Sequence, residues 1–120
     1  MKKVIKGGKV ATATDVFEAD LLIEDGVITQ IAKKIDVADA EVIDASGKYV
    51  MPGGIDPHTH LDMPFNNTVT DDDWESGTIA AAFGGTTTIL DFCLSAGETK
   101  LADAVAKWHT KAQGKAVIDY

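Results

Sequence analysis

At 120 residues, with 45% apolar content and a mean hydropathy of +0.01, the chain has the balance of one ordinary globular domain and not that of a disordered segment. Its formal net charge of -8, from 19 acidic residues against lysines alone with no arginine, disfavours nucleic acid and anionic membrane as partners. It also removes the bidentate fork that clamps carboxylates and phosphates. No run approaches the ~18 apolar residues of a membrane span, and Met1-Lys2-Lys3 leads only into Val4-Ile5, so no membrane segment or signal core is read and a cytoplasmic location is expected.

Residues 1–51 read as short strands joined by tight turns. Lys3 to Lys6 and Lys9 to Thr14 flank Gly7-Gly8, a hairpin-compatible pair; Ala19 to Glu24 and Val27 to Ala32 flank Asp25-Gly26, a strong two-residue hairpin signal. Val42-Ile43-Asp44 and Tyr49-Val50-Met51 flank the turn-like stretch Ala45 to Lys48. Strands at this spacing predict a small antiparallel sandwich or part of one, with no convergence of reactive side chains.

The period then changes. Ile55 to His60 reads as a strand, Asp73 to Phe83 as a helix, Thr86 to Phe92 as a strand, Leu101 to Gln113 as a helix and Ala116 to Tyr120 as a strand. Asp71, Asp72 and Asp73 offer oxygens and favourable charge at the start of the first helix, and Gly84-Gly85 a left-handed stop. In the second, Leu101, Ala104, Val105 and Trp108 form an apolar stripe, with Thr99 as a cap and Gly114 past the end. The β-branched run from Thr86 suits a parallel strand covered on both faces. Alternating βα units imply a parallel sheet, and two and a half of them are the expected first part of a (β/α)8 barrel, which takes ~250 residues. The division expected is 1–51, part of a β-sandwich, and 52–120, the first units of the barrel.

The chemistry concentrates in Pro52-Gly53-Gly54-Ile55-Asp56-Pro57-His58-Thr59-His60. Side chains alternate faces along a strand, so His58 and His60 point the same way and can close on one metal ion. Imidazole nitrogen suits zinc or a similar transition metal better than calcium or magnesium. Asp56 shares that face and either orients a ligand histidine or stabilises the turn before Pro57. Asp91, at a strand end, is a catalytic candidate or a loop cap; His109 reads as a solvated helical histidine; the lone Cys93 reads as a buried small hydrophobe. Asn66-Asn67-Thr68 fits a glycosylation sequon but, without a secretory signal, reads as a loop.

The stretch PGGIDPHTHLDMPF at 52–65 resembles the cyclic amidohydrolases, and within them the dihydropyrimidinase or D-hydantoinase group. DDWESGTIAAAFGGTTTILDFC at 72–93, the terminal GKAVIDY and LLIEDGVITQI at 21–31 resemble the same group. The resemblance implies a (β/α)8 barrel beside a β-sandwich, with His58 and His60 as ligands of the more buried ion of a two-zinc centre. The other ligands it implies are a carboxylated lysine bridging the metals, two histidines and an aspartate, none of which lies in this sequence.

The implied reaction is hydrolytic opening of a dihydropyrimidine or 5-substituted hydantoin to an N-carbamoyl amino acid through a metal-bridging hydroxide, by a homotetramer. Met63 and Phe65 match the loop around the substrate's exocyclic group. Dihydroorotase and allantoinase resemble the motif but carry arginine two residues after the second histidine; Asp62 there would repel a substrate carboxylate, which favours a neutral cyclic ureide or amide. The alternative class is a non-catalytic assembly protein of the same fold, whose members lack the metal histidines. The 120 residues alone, with two imidazoles and no acid/base group, are expected to be inactive.

Overall fold

The computed structural model describes residues 1–95 and 100–120 and divides into two compact units, Met1–Pro52 and Gly53–Tyr120. No helix among the described residues is long and apolar enough to cross a membrane.

The first unit is a five-stranded sheet of β1 (Lys2–Ala11), β2 (Val16–Glu24), β3 (Val27–Ala32), β4 (Glu41–Asp44) and β5 (Tyr49–Val50). The order is β3-β2-β1-β4, with β5 also on β1. The β2–β3 hairpin turns at Asp25 and Gly26, with φ of 49° and 83°, the paired left-handed conformations of the two-residue turn that Asp-Gly favours.

Gly7-Gly8 is not a hairpin. β1 runs unbroken past it, paired antiparallel with β2 from Lys2 to Ala11, and the register slips by a bulge between Ile5 and Gly8. Gly7 takes φ 71° there, and its freed amide donates to Asp20 Oδ1 at 2.9 Å while Ile35 N donates to Oδ2 at 3.0 Å. Glycine marks a bulge as readily as a turn; the buried carboxylate across the sheet satisfies the extra N–H.

The expected all-antiparallel sandwich is likewise corrected: β4 and β5 both lie parallel to β1, so Ala45 to Lys48 joins two strands along one neighbour. Val4, Leu22 and Ile35 form one apolar cluster of this unit, and Val10, Ala19 and Leu21 another.

The second unit comprises β6 (Gly54–Thr59), the short hairpin β7 (Pro64–Phe65) and β8 (Thr68–Val69), α1 (Ser76–Phe83), β9 (Thr86–Asp91) and α2 (Leu101–Ala112). β6 and β9 pair in parallel. Ala116 to Tyr120, expected as a full strand, contributes a single parallel bridge, Asp119 to Thr88, with Ile89 N donating to Asp119 O and Asp119 N to Thr87 O. The βα alternation is present as two paired strands, a bridge and two helices.

Asp73 caps α1: its Oδ1 accepts from Glu75 N at 3.0 Å and Ser76 N at 2.8 Å, and its own amide donates to Ser76 Oγ, a reciprocal cap. These contacts hold its carboxyl below the usual value, chiefly through the Ser76 amide and then the Ser76 hydroxyl. The helix stops at Gly85, φ 86°.

The stripe on α2 is Ala104, Trp108 and Ala112; Leu101, expected in it, is 76% exposed, and Val105 is exposed too. Val105 sits to one side of the contact line, whereas Leu101 lies on it but at the first residue of the helix. The Thr99 cap lies outside the described residues. Leu61, Trp74, Ile89, Trp108 and Ala112 form the core, with Ala116 and Ile118 against it. β9 buries Ile89 but leaves Leu90 exposed, so it is covered on one face and not on both.

Candidate metal half-site

β6 delivers the histidines. Pro57 interrupts its ladder, because a ring nitrogen without a proton cannot donate, and the register with β9 is irregular between Asp56 and Thr59. Asp56 Oδ1 accepts from His58 N at 3.1 Å, closing a small turn over Pro57. Of the two roles open to Asp56, this is the turn-stabilising one.

Beyond that irregularity His58 and His60 do point the same way: their Nε2 atoms lie 3.1 Å apart and their ring centroids 5.0 Å apart, near edge-on. His58 is exposed and His60 half-buried. Zinc–imidazole bonds of about 2.0–2.1 Å would meet across a 3.1 Å gap at an angle of about 100°, close to tetrahedral, so the separation suits two ligands of one ion. His60 Nδ1 is buried and has no partner among the described residues. A ligand bound through Nε2 would leave Nδ1 as a donor that calls for an acceptor, and the described residues supply none. Among the described residues no group of three or more His, Cys, Asp or Glu could hold a metal, so the site is half of a coordination sphere.

Phe92, the residue after β9, packs on both imidazoles, 4.5 Å from His58 and 5.3 Å from His60 between centroids. Such ring contacts contribute about 0.5–1.5 kcal/mol beyond area and restrict the imidazoles' rotation. Strand alternation could have flagged it: Asp91 and Phe92 project to opposite sides of one strand end.

Asp91 faces the helix and the β6 terminus. Its Oδ2 accepts from Leu61 N at 2.8 Å and Thr59 Oγ1 at 3.0 Å, and its Oδ1 from Trp108 Nε1 at 2.8 Å. It ties the end of β6 to α2, and none of these three bonds caps the loop that follows β9.

Asp62, φ 48°, is not a bare carboxylate: Lys111 Nζ lies 3.3 Å from its Oδ2, also donates to its backbone carbonyl and sits 4.9 Å from the Trp108 ring centroid. With both side chains largely shielded, the repulsion expected of Asp62 toward an anionic substrate is mostly cancelled by this lysine. The partner is 49 residues away and no local pattern announces it.

Met63, half-buried, donates its amide to Thr70 Oγ1 at 2.9 Å, and Phe65 is exposed on the β7–β8 hairpin, whose turn residues Asn66 and Asn67 take φ 44° and 65°. The sequon stretch is thus a hairpin turn.

His109 is exposed as expected, 5.9 Å from the Tyr120 ring. Cys93 is exposed where burial was expected, because the chain leaves the sheet after Asp91. Partial desolvation and the neighbouring Asp91 charge raise its thiol above the usual value. A cavity of about 350 Å³ lined by Trp74, Asp91, Cys93, Trp108 and His109 includes neither His58 nor His60. It belongs to the second unit and lies apart from the imidazole pair.

The amidohydrolase family model matches residues 41–117. The chain is 67% identical over 120 residues to a D-hydantoinase of Geobacillus stearothermophilus, covering 100% of this chain and 26% of that one. It is 45% identical over 121 residues to dihydropyrimidinase 1 of Caenorhabditis elegans, covering 98% and 24%. Among solved structures, dihydropyrimidinase from Brevibacillus agri NCHU1002 superposes with a TM-score of 0.97 at 58% identity, covering 100% of this chain and 26% of that one. An L-hydantoinase from Arthrobacter aurescens superposes at 0.82 and 29% identity, covering 99% and 27%. The chain therefore spans about a quarter of the length of these relatives. With its family match covering more than half of the sequence, the chain belongs to the amidohydrolase family.

Proposed function

We propose that the protein carrying this sequence hydrolyses a neutral cyclic amide, a dihydropyrimidine or 5-substituted hydantoin, and that this chain supplies two of its metal ligands. The observation that carries the reading is the 3.1 Å approach of the His58 and His60 Nε2 atoms at the end of β6. The identity to D-hydantoinases supports the substrate class. In this reading residues 1–51 belong to a β-sandwich and 52–120 open a (β/α)8 barrel, whose catalytic groups collect where its strands end, as the histidines do on β6.

His58 and His60 would hold one ion through Nε2, and Phe92 keeps both rings turned toward it. A bound zinc supplies Lewis acidity, lowering the pKa of a coordinated water and polarising the ring carbonyl. A second zinc, the carboxylated lysine between the two and the proton-transferring carboxylate come, in this reading, from residues outside this sequence. Met63 and Phe65 flank the ring's exocyclic group. Hydrolysis breaks the ring C–N bond, water's hydroxyl going to the acyl carbon and its proton to the nitrogen, which yields the N-carbamoyl amino acid. Since Lys111 pairs with Asp62, preference for a neutral ring rests on the absence of arginine at that point and not on repulsion by Asp62.

A non-catalytic assembly role is disfavoured by retention of both histidines. Ring-opening assays on hydantoin, dihydrouracil, allantoin and dihydroorotate, with zinc supplied, test the reading: turnover of the first two supports it, and turnover of dihydroorotate alone overturns it.

A further inference from the structure

We propose that Asp91 is a positioning residue for the metal ligand His60, fixing the backbone on either side of it from β9. The proposal rests on the reading of His58 and His60 as metal ligands. β6 ends at Thr59, whose carbonyl accepts from Phe92 N at 3.3 Å, and the ladder goes no further, so His60 sits just past the last rung. One carboxylate oxygen of Asp91 replaces that ladder: it accepts from Thr59 Oγ1, before His60, at 3.0 Å and from Leu61 N, after it, at 2.8 Å. The other oxygen accepts from Trp108 Nε1 at 2.8 Å, which anchors the bracket to a buried side chain of α2. On the far side of Leu61, Lys111 from the same helix holds Asp62, whose amide donates to Asp72 O at 2.8 Å.

The His60 Cα is thus trapped between fixed neighbours, and the next residue of β9, Phe92, covers the face of its ring. Asp91 reaches no imidazole through any of these bonds; its effect on a metal is through where His60 is held. Asparagine at 91 keeps the shape but turns an NH2 toward one set of donors, so it cannot accept from both Trp108 and the Thr59–Leu61 pair.

The test is zinc affinity of the intact protein, by competition with a chromogenic chelator, beside the absorption spectrum of the cobalt-substituted form and the melting midpoint of the metal-free form. Outer partners that orient metal ligands typically cost about 10–100-fold in affinity when removed. Asp91→Asn is expected to weaken zinc about tenfold or more and to alter the cobalt ligand-field bands. Thr59→Val, which deletes the hydroxyl's contacts to Asp91 and to Leu90 O without changing shape, is expected to weaken zinc less, and Thr59→Ser, which keeps the hydroxyl, to restore it.

Should Asp91→Asn fail to fold, the Thr59 pair decides alone. Zinc binding within about twofold of the parent in Asp91→Asn and Thr59→Val, even with a lowered metal-free melting midpoint, overturns the proposal by making Asp91 structural only. His60→Ala measured alongside separates the two failures: if it retains full zinc, the ligand assignment itself falls and the bracket with it.

Discussion

Gly53→Ala is expected to destabilise the second unit in a way that side-chain rotation cannot relieve. A Cβ built at Gly53, immediately before β6, lies 2.1 Å from Thr87 Oγ1, 2.3 Å from its Cγ2 and 2.7 Å from its Cβ. Carbon atoms pack best at ~3.5–4.0 Å. Turning Thr87 about χ1 moves Oγ1 and Cγ2 but leaves its Cβ where the β9 backbone puts it, still about 1 Å too close. The start of β6 must therefore move away from β9, straining the bond from Gly54 N to Gly85 O, 2.8 Å, and the Gly54–Thr86 register.

Overpacking of this kind costs about 1–3 kcal/mol, and a backbone-borne clash belongs at the upper end. Urea unfolding followed by tryptophan emission reads it directly, since Trp74 and Trp108 are both buried in this unit's core. Thr87→Ala, which keeps the offending Cβ, should recover only part of the loss; Thr87→Gly should remove the clash. A Gly53→Ala protein within about 0.5 kcal/mol of the parent, or full rescue by Thr87→Ala, would refute the reasoning.

Two further expectations concern protons. Asp73 has its carboxyl held below its ordinary 3.8 by the Ser76 amide and hydroxyl, so the cap contributes fully above that value and is lost as pH falls through the lowered one. Amide exchange at Glu75 and Ser76 should therefore quicken in acid well below pH 3.8, and Asp73→Asn, a cap that does not ionise, should remove that dependence. The Cys93 thiol is raised above its ordinary 9.0 by desolvation and then by Asp91, so its alkylation rate should still be climbing beyond pH 9.0, and a midpoint at or below that value would contradict the environment described.

What could be read from the chain follows the range of the forces involved. The Asp25-Gly26 hairpin, the Asp73 cap, the Gly85 stop and the shared direction of His58 and His60 are set within a few residues, and the sequence displays them. Gly7-Gly8 carries the same local signature as a turn, and only the unbroken pairing of β1 with β2, along with Asp20 reaching the freed amide, makes it a bulge. The parallel placement of β4 and β5 on β1 is likewise a long-range choice.

At the site the same division holds. The convergence of His58 and His60 is legible from their spacing, whereas Lys111 on Asp62 and Asp91 on Thr59 and Leu61 join residues that no window of the sequence brings together. Those contacts change the meaning of two aspartates: Asp62 becomes half of an ion pair, and Asp91 a backbone brace.

The chemistry proposed for this protein requires that His58 and His60 bind metal. Zinc content of the purified intact protein, by atomic emission, tests it with three substitutions in parallel. His58→Ala and His60→Ala are each expected to lose zinc and ring-opening activity together, because removing one of two converging imidazoles dismantles the half-site, while His109→Ala, on the exposed side of α2, keeps both. Full zinc occupancy in His58→Ala and His60→Ala would contradict the assignment.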